Sequence, residues 1–310
     1  MPRVYNSNKM ERTLMPLINK SFSSIGLGCV TFGREIDRQA SFSLMDYAVE
    51  KGITFFDTAS AYGDGASEKI IGSWIADRRP VSGSILIATK ILPPYTSEKI
   101  IESIEQSLKR LGTDAIDLLY LHRWDATIED GDTLNIFNDL IKTGKIKILG
   151  ASNFNAEQFE RVIRLQKDNG FDLFSAIQNN NNLAVRDINK EIVQICIDRD
   201  IKIVTYSPLG AGFLTGKYRN GVEGNTRFSL IKGHQDIYFN ESSFRRLNQL
   251  QKVSALTGYS PSHLALAWAL HQPHVTSVLV GGRSREQLAQ AFSALTFYDP
   301  HIFNELELIR

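Results

Sequence analysis

The sequence predicts a closed (β/α)8 barrel, an α/β fold whose working face lies at the carboxyl ends of its strands. Three observations predict it. Eight short apolar strands alternate with amphipathic helices, which implies parallel pairing through helical crossovers. The 310 residues show no compositional break between these units, and eight units in that length suit one cylinder better than two doubly wound domains. Several strands also end on ionisable residues, at the rim where parallel α/β folds put their chemistry. The expected organisation is one barrel domain over 1–310, with 1–24 as an N-terminal tail or capping hairpin and 210–240 as a cofactor and substrate loop.

The N-terminal stretch is polar, with short apolar pieces at 14–18 and at Phe22. The first strand is read at 24–30. Its Gly26 and Gly28 suggest a dinucleotide fingerprint, but the third glycine and the immediate helix are missing, so a Rossmann domain is discounted. A helix over 37–50 follows, capped by Asp37 and stopped by Gly52. The second strand, 53–57, is apolar until Asp57. A turn holding Gly63 and Gly65 leads past Tyr62 into a helix over 67–76, with Ser67 as its cap. The third strand, 84–90, ends in Lys90 and feeds a helix over 97–111. The fourth, 116–122, ends in His122 and precedes a helix near 134–142, stopped by Gly144. The fifth, 146–150, runs toward Ser152 and Asn153, then a helix over 155–166. The sixth, 173–177, reaches Gln178 and is followed by a helix over 189–198. The seventh, 201–206, ends at Tyr206. Residues 210–240 read as irregular. Helices over 241–257 and 262–271 precede the eighth strand, 276–280, and Ser284 caps a last helix to 294.

Composition narrows the function classes. The chain is 43% hydrophobic and 22% charged, ordinary for a soluble globular protein. A net charge of +1 gives no global field to recruit nucleic acid or an anionic membrane. Cys29 and Cys196 are far apart without metal-ligand spacing, and are expected as reduced, buried thiols of a cytoplasmic protein. No apolar run approaches the roughly 18 residues of a membrane span, and residues 1–20 lack the features of a secretory signal.

Asp57, Lys90 and His122 end consecutive strands, and Tyr62 lies on the loop beside them. Alone, each has a bland reading: a solvated lysine, a capping aspartate, a packed histidine. On adjacent strands of one rim they point to a site. A phenol with an ordinary pKa of ~10 is a weak acid near neutrality; a neighbouring ammonium is expected to lower that pKa. Asp57 would keep the lysine charged, and His122 would donate a second hydrogen bond to a substrate oxygen. Such a set suits protonation of a developing alkoxide. Neither a serine or cysteine nucleophile nor a metal-ligand set is apparent, so the alkoxide would arise from hydride delivered by a bound cofactor.

With these residues in view the chain resembles the aldo-keto reductases from about residue 25 to 297. The matching segments include Phe-Asp57-Thr-Ala-Ser-Ala-Tyr62-Gly, Ala-Thr-Lys90, Leu-Leu-Tyr-Leu-His122-Arg, Gly150-Ala-Ser152-Asn153-Phe, Tyr206-Ser-Pro-Leu-Gly and Gly-Gly-Arg-Ser at 281–284. The resemblance implies a (β/α)8 barrel of the TIM type, NADP(H) on its C-terminal face, and reversible carbonyl reduction with Asp57, Tyr62, Lys90 and His122 as tetrad and Tyr62 as acid. It further implies that Ser152, Asn153 and Gln178 hold the nicotinamide carboxamide, and that Tyr206 stacks on the ring. Ser207, Leu209, Gly210, Gly212 and Lys217 would follow the pyrophosphate. Gly281, Arg283, Ser284, Gln287 and Gln290 would meet the adenosine end, a guanidinium and a helix N-terminus suiting a 2′-phosphate. Three positions depart from the family pattern: Gln290-Ala291 replaces Glu-Asn, and Asn181 stands where an aromatic is usual. The pocket for a small aldehyde, ketone or sugar would be formed by Val30, Phe32, Trp124 and a residue of the 218–240 stretch. Two other readings compete: a nucleotide-sensing regulatory subunit resembling potassium-channel β subunits, and a cofactor-free lyase or isomerase in which Lys90 forms a Schiff base.

Overall fold

The computed structural model describes residues 12–15, 20–81, 83–224 and 226–308. Strands β1 (Arg12–Met15) and β2 (Lys20–Ser23) pair antiparallel, the hairpin alternative for the N-terminal stretch; its residues 1–11 and 16–19 lie outside the described set. Phe22 is buried and meets Phe55 edge-on at 4.6 Å. It belongs to the cluster that fills the barrel interior, so β2 closes one end of the cylinder.

The cylinder has eight parallel strands: β3 (Ile25–Gly28), β4 (Phe55–Asp57), β5 (Leu86–Ile91), β6 (Ile116–Leu121), β7 (Ile146–Ser152), β8 (Ala176–Asn180), β9 (Lys202–Tyr206) and β10 (Val275–Val280). They pair in chain order, and β10 bonds back to β3. Gly26 has a packing role: a Cβ there would lie 2.7 Å from both Leu279 and Phe55 inside the barrel. The helices around it are α1 (Arg38–Glu50), α2 (Ala66–Arg78), α3 (Ser97–Leu111), α4 (Gly131–Lys142), α5 (Ala156–Asp168), α6 (Lys190–Arg199), the short α7 (Arg227–Leu230) and α8 (Gly233–Tyr238), then α9 (Glu241–Thr257), α10 (Pro261–Leu270), α11 (Arg285–Leu295) and α12 (Pro300–Glu307). Asp37, Asn155, Asn189, Asn240 and Ser284 each cap a helix by accepting a first-turn N–H, which satisfies donors the helix itself cannot. Apolar faces of these helices and the outer faces of the strands form a second core layer. Among the described residues no helix is long and apolar enough to cross a membrane.

Four expectations need correction. Ser67 is not a cap; Gly65 holds that position at φ +80°, and the Ser67 hydroxyl donates to Cys29 O at 2.9 Å while accepting from Thr58 at 2.7 Å. The sixth barrel strand lies three residues later than 173–177, because Phe174 packs between the rings of Phe154, in the loop after β7, and Phe159, on α5, and the asparagines after Gln178 keep the strand going. Residues 210–240 are not irregular: they hold a 3-10 turn, Gly210–Thr215, and helices α7 and α8. Phe213, Tyr218, Phe228 and Tyr238 are all buried there and stack on one another, so this segment carries a small core of its own. Finally, α12 follows the helix read as the last.

Candidate active site

Lys90 is the centre of the site. It sits on β5 with its side chain 1% exposed, and its ammonium donates to Asp57 Oδ2 at 2.5 Å, Thr58 O at 2.8 Å and Tyr62 OH at 3.3 Å. An ammonium has three protons, and here three oxygens meet it. Burial draws the Lys90 pKa down, but Asp57 and Tyr62 outweigh burial and leave it raised; the group stays cationic. Burial raises the Asp57 pKa, against Lys90 and Gln178. A saturated, charged ammonium is not a nucleophile, which removes the Schiff-base reading.

Tyr62 follows β4 on a turn in which Gly63, Asp64 and Gly65 all have positive φ, 57°, 53° and 80°. This left-handed run turns the phenol back over Lys90. The Tyr62 pKa is raised, not lowered as the sequence suggested: burial outweighs the pull of Lys90. His122, just after β6, crosses Tyr62 edge-on at 6.0 Å and 81°. Burial first, then Lys90 and Arg123, hold its pKa down at about 3, so the ring is neutral. Its Nδ1 is buried with no partner among the described residues. An unpaired buried N–H is the rarer defect, so the proton belongs on Nε2.

The tetrad lies in the wall of a cavity of about 740 Å3, within the size range of ligand sites. Ser152, Asn153, Gln178 and Tyr206 share that wall, as do Ser207, Leu209, Gly212 and Lys217 along one side and Gly281, Arg283, Gln287 and Gln290 at the far end. Gln178 donates to Asp57 Oδ1 at 2.8 Å, so it orients the tetrad as well as facing the cavity. Asn153, at φ +58°, donates to His122 O at 2.8 Å and to Ser152 Oγ at 3.1 Å, and accepts from Tyr206 OH at 2.6 Å. The Ser152 hydroxyl proton is thereby left to face the cavity. Gly212 turns at φ +94°, where a Cβ would fall 2.8 Å from Lys217 Cε.

Some candidates lie elsewhere. Phe32 is fully buried in the shell between barrel and helices, and Trp124 donates to Glu129 at 3.1 Å and packs outside the cavity wall; of the three substrate candidates only Val30 lines the cavity. Gly210 is behind the wall, and Ser284 serves as the α11 cap. Ala291 is fully buried. The 218–240 stretch does reach the cavity, through Arg227, Ile231 and His234, which sequence reading did not single out, and Arg34 was missed altogether. Nothing local marks them; Arg227 is joined to the site by Glu35, 192 positions away in the chain.

Comparison with known proteins agrees with this architecture. The pattern of the Aldo/keto reductase family matches residues 24–307. The chain is 32% identical over 290 residues to the probable aldo-keto reductase 1 of Glycine max, covering 88% of this chain and 81% of the relative. It is 32% identical over 306 residues to the aldo-keto reductase YhdN of Bacillus subtilis (strain 168), covering 93% and 89%. It is also 29% identical over 297 residues to a probable voltage-gated potassium channel subunit beta of Oryza sativa subsp. japonica, covering 90% of each. With a closed eight-stranded barrel and a match over nearly its whole length, the chain belongs to the aldo/keto reductase family of oxidoreductases.

Proposed function

We propose that the protein reversibly reduces an aldehyde or ketone to an alcohol with NADP(H), Tyr62 acting as general acid. The observation that carries this reading is the single ammonium of Lys90, bonded to both Asp57 and Tyr62 at the floor of a cavity large enough for a dinucleotide and a small substrate. The residues present fit the cofactor. Arg34, Lys90, Lys217, Arg227 and Arg283 line the cavity, with Asp57 the one carboxylate of its wall among the described residues, which suits a polyanionic ligand. Ser152 and Gln178 offer hydroxyl and amide groups for the carboxamide, and Tyr206 a ring face. Lys217 would hold the pyrophosphate, and Arg283 with the N-terminus of α11 the 2′-phosphate. Because Ala291 is buried, Gln287 and Gln290 would carry the adenine contacts.

When bound, the nicotinamide supplies the hydride. Tyr62 OH and His122 Nε2–H donate to the carbonyl oxygen and orient it. The phenol, kept protonated by its raised pKa, gives its proton to the developing alkoxide, which is far more basic. Lys90, 3.3 Å away, stabilises the phenolate left behind, and Asp57 with Gln178 keeps that ammonium charged and aimed.

The test is a panel of aldehydes, ketones and sugars with NADPH and NADH, read by absorbance of the reduced nicotinamide. Turnover with NADPH supports the reading, and its absence across the panel defeats it. Arg283→Ala should weaken NADPH at least ~10-fold more than NADH, since a charge-assisted phosphate contact is lost; equal losses would mean that the 2′-phosphate is bound elsewhere. A second reading, a nucleotide-sensing regulatory subunit with little turnover, draws on the relatives named as channel β subunits, and tight NADPH binding with negligible turnover would favour it.

A further inference from the structure

Behind the Tyr62 turn lies a buried carboxylate that no step above uses. Glu68 is in the first turn of α2, and its side chain is fully buried. One of its oxygens accepts from Thr89 Oγ1 at 2.6 Å, and the other from Arg110 Nε at 2.6 Å. Thr89 precedes Lys90 on β5, and Arg110 is in the last turn of α3. All three residues lie outside the cavity wall. A buried ion pair is weak evidence of stability, since apolar residues of similar volume often fold as well or better.

The position of this pair says more. Arg110 packs against Gly65, which closes the turn after Tyr62: a Cβ on Gly65 would fall 2.7 Å from Arg110 Cδ and 2.8 Å from its Nε. The same carboxylate that holds the guanidinium also grips the strand carrying Lys90. The turn bearing the acid and the strand bearing its ammonium are thus joined through one side chain. The turn needs such an anchor. Gly63, Asp64 and Gly65 all have positive φ, and α2 starts without a side-chain cap; two glycines among three residues leave the backbone free to move. Tyr62 OH is also the longest of the three Lys90 contacts, 3.3 Å against 2.5 and 2.8 Å, so a small shift of the turn breaks it first.

We infer that Glu68 and Arg110 are positioning residues for proton transfer, a role that rests on the oxidoreductase reading: they lock the Tyr62 turn to β5 and so set the distance between the phenol and the Lys90 ammonium. Without them the turn drifts, and a misplacement of about 1 Å costs a rate on the order of 100-fold. Binding is spared, because neither residue faces the cavity.

The experiment measures kcat, KM and NADPH affinity with an aldehyde that the wild type reduces. Thr89→Val keeps the shape of the strand and cuts its bond to Glu68. Glu68→Leu combined with Arg110→Met fills the same space with apolar groups and should keep the denaturation midpoint near that of wild type. Both should lower kcat by ~10-fold or more while KM and NADPH affinity stay within ~3-fold. Thr89→Ser, which restores the hydroxyl, should regain most of the lost rate. In alcohol oxidation, where the phenolate is the base, the rise of kcat with pH should move to higher pH in the impaired variants, because a more distant ammonium lowers the phenol's pKa less. A double variant that folds as stably as wild type, with its kcat and pH profile unmoved, overturns the inference while carbonyl reduction stands. A loss confined to KM or NADPH affinity overturns it as well. If the double variant does not fold, Thr89→Val and Thr89→Ser decide alone, and equal kcat in the two overturns it. A wild type that reduces no carbonyl compound defeats the oxidoreductase reading, and the inference with it.

Discussion

Asp57 shows most clearly how a single residue governs the site. One carboxylate oxygen meets the Lys90 ammonium at 2.5 Å and the other accepts from Gln178 at 2.8 Å, so both are used. Replacing it with asparagine leaves a buried ammonium with no counter-ion. Asp57→Asn should therefore cost ~3–5 kcal/mol of stability, the usual penalty for breaking a buried pair, and should depress turnover together with it. Chemical denaturation and steady-state kinetics on the same preparation check this; an unchanged midpoint would mean that Lys90 finds another partner. At this scale the sequence was informative: a carboxylate, a lysine and a histidine ending apolar strands are conspicuous. The sign of the Tyr62 shift was not, because it depends on how deeply the phenol is buried, a property of the closed cavity and not of its neighbours in the chain.

Among the elements, β8 and the 210–240 segment depend on each other. Asn180 Nδ2 donates to Tyr238 OH at 3.1 Å, and Asn182 Nδ2 lies 3.2 Å from the same oxygen and 2.9 Å from Ser207 O. The Asn182 carbonyl accepts from Ala184 N and Val185 N at 2.9 and 3.0 Å. Buried amides bonded in this way are tolerated; left unpaired they are expensive. This is why an asparagine run can continue a buried strand that apolar pattern alone would end at residue 177. Tyr238→Phe should cost ~1–3 kcal/mol and loosen the wall segment, raising amide exchange across 207–240 and speeding NADPH release. Unaltered exchange there would show that the aromatic stacking of Phe213 and Phe228 suffices. The segment's short helices were illegible because their cores are aromatic contacts within the segment, without a 3.6-residue apolar period to announce them.

For the whole molecule, the barrel was legible because alternation and strand length are properties of the entire chain, and because closure is the simplest arrangement for eight such units. The Glu35–Arg227 pair was not legible, since pairing across 192 positions exists only once the barrel has closed. The folded state also makes a pH-dependent claim. His122 titrates near 3 and His234 near 4 when folded, against ~6.5 when unfolded. Between those values the unfolded chain binds more protons, so stability is full above pH ~6.5 and is lost as pH falls toward ~3. Melting temperature followed from pH 7 to pH 5 should drop, and the drop should shrink in His234→Asn; a flat profile would place both rings in water. The central claim concerns the rim: polar side chains from separate strands meet to protonate a carbonyl oxygen as hydride arrives. Single-turnover kinetics of Tyr62→Phe with NADPH and a reactive aldehyde test it most directly. The account predicts NADPH binding within a factor of ~3 of wild type and a hydride-transfer rate lower by at least ~100-fold, the scale of a lost general acid; hydride transfer at the wild-type rate would contradict it.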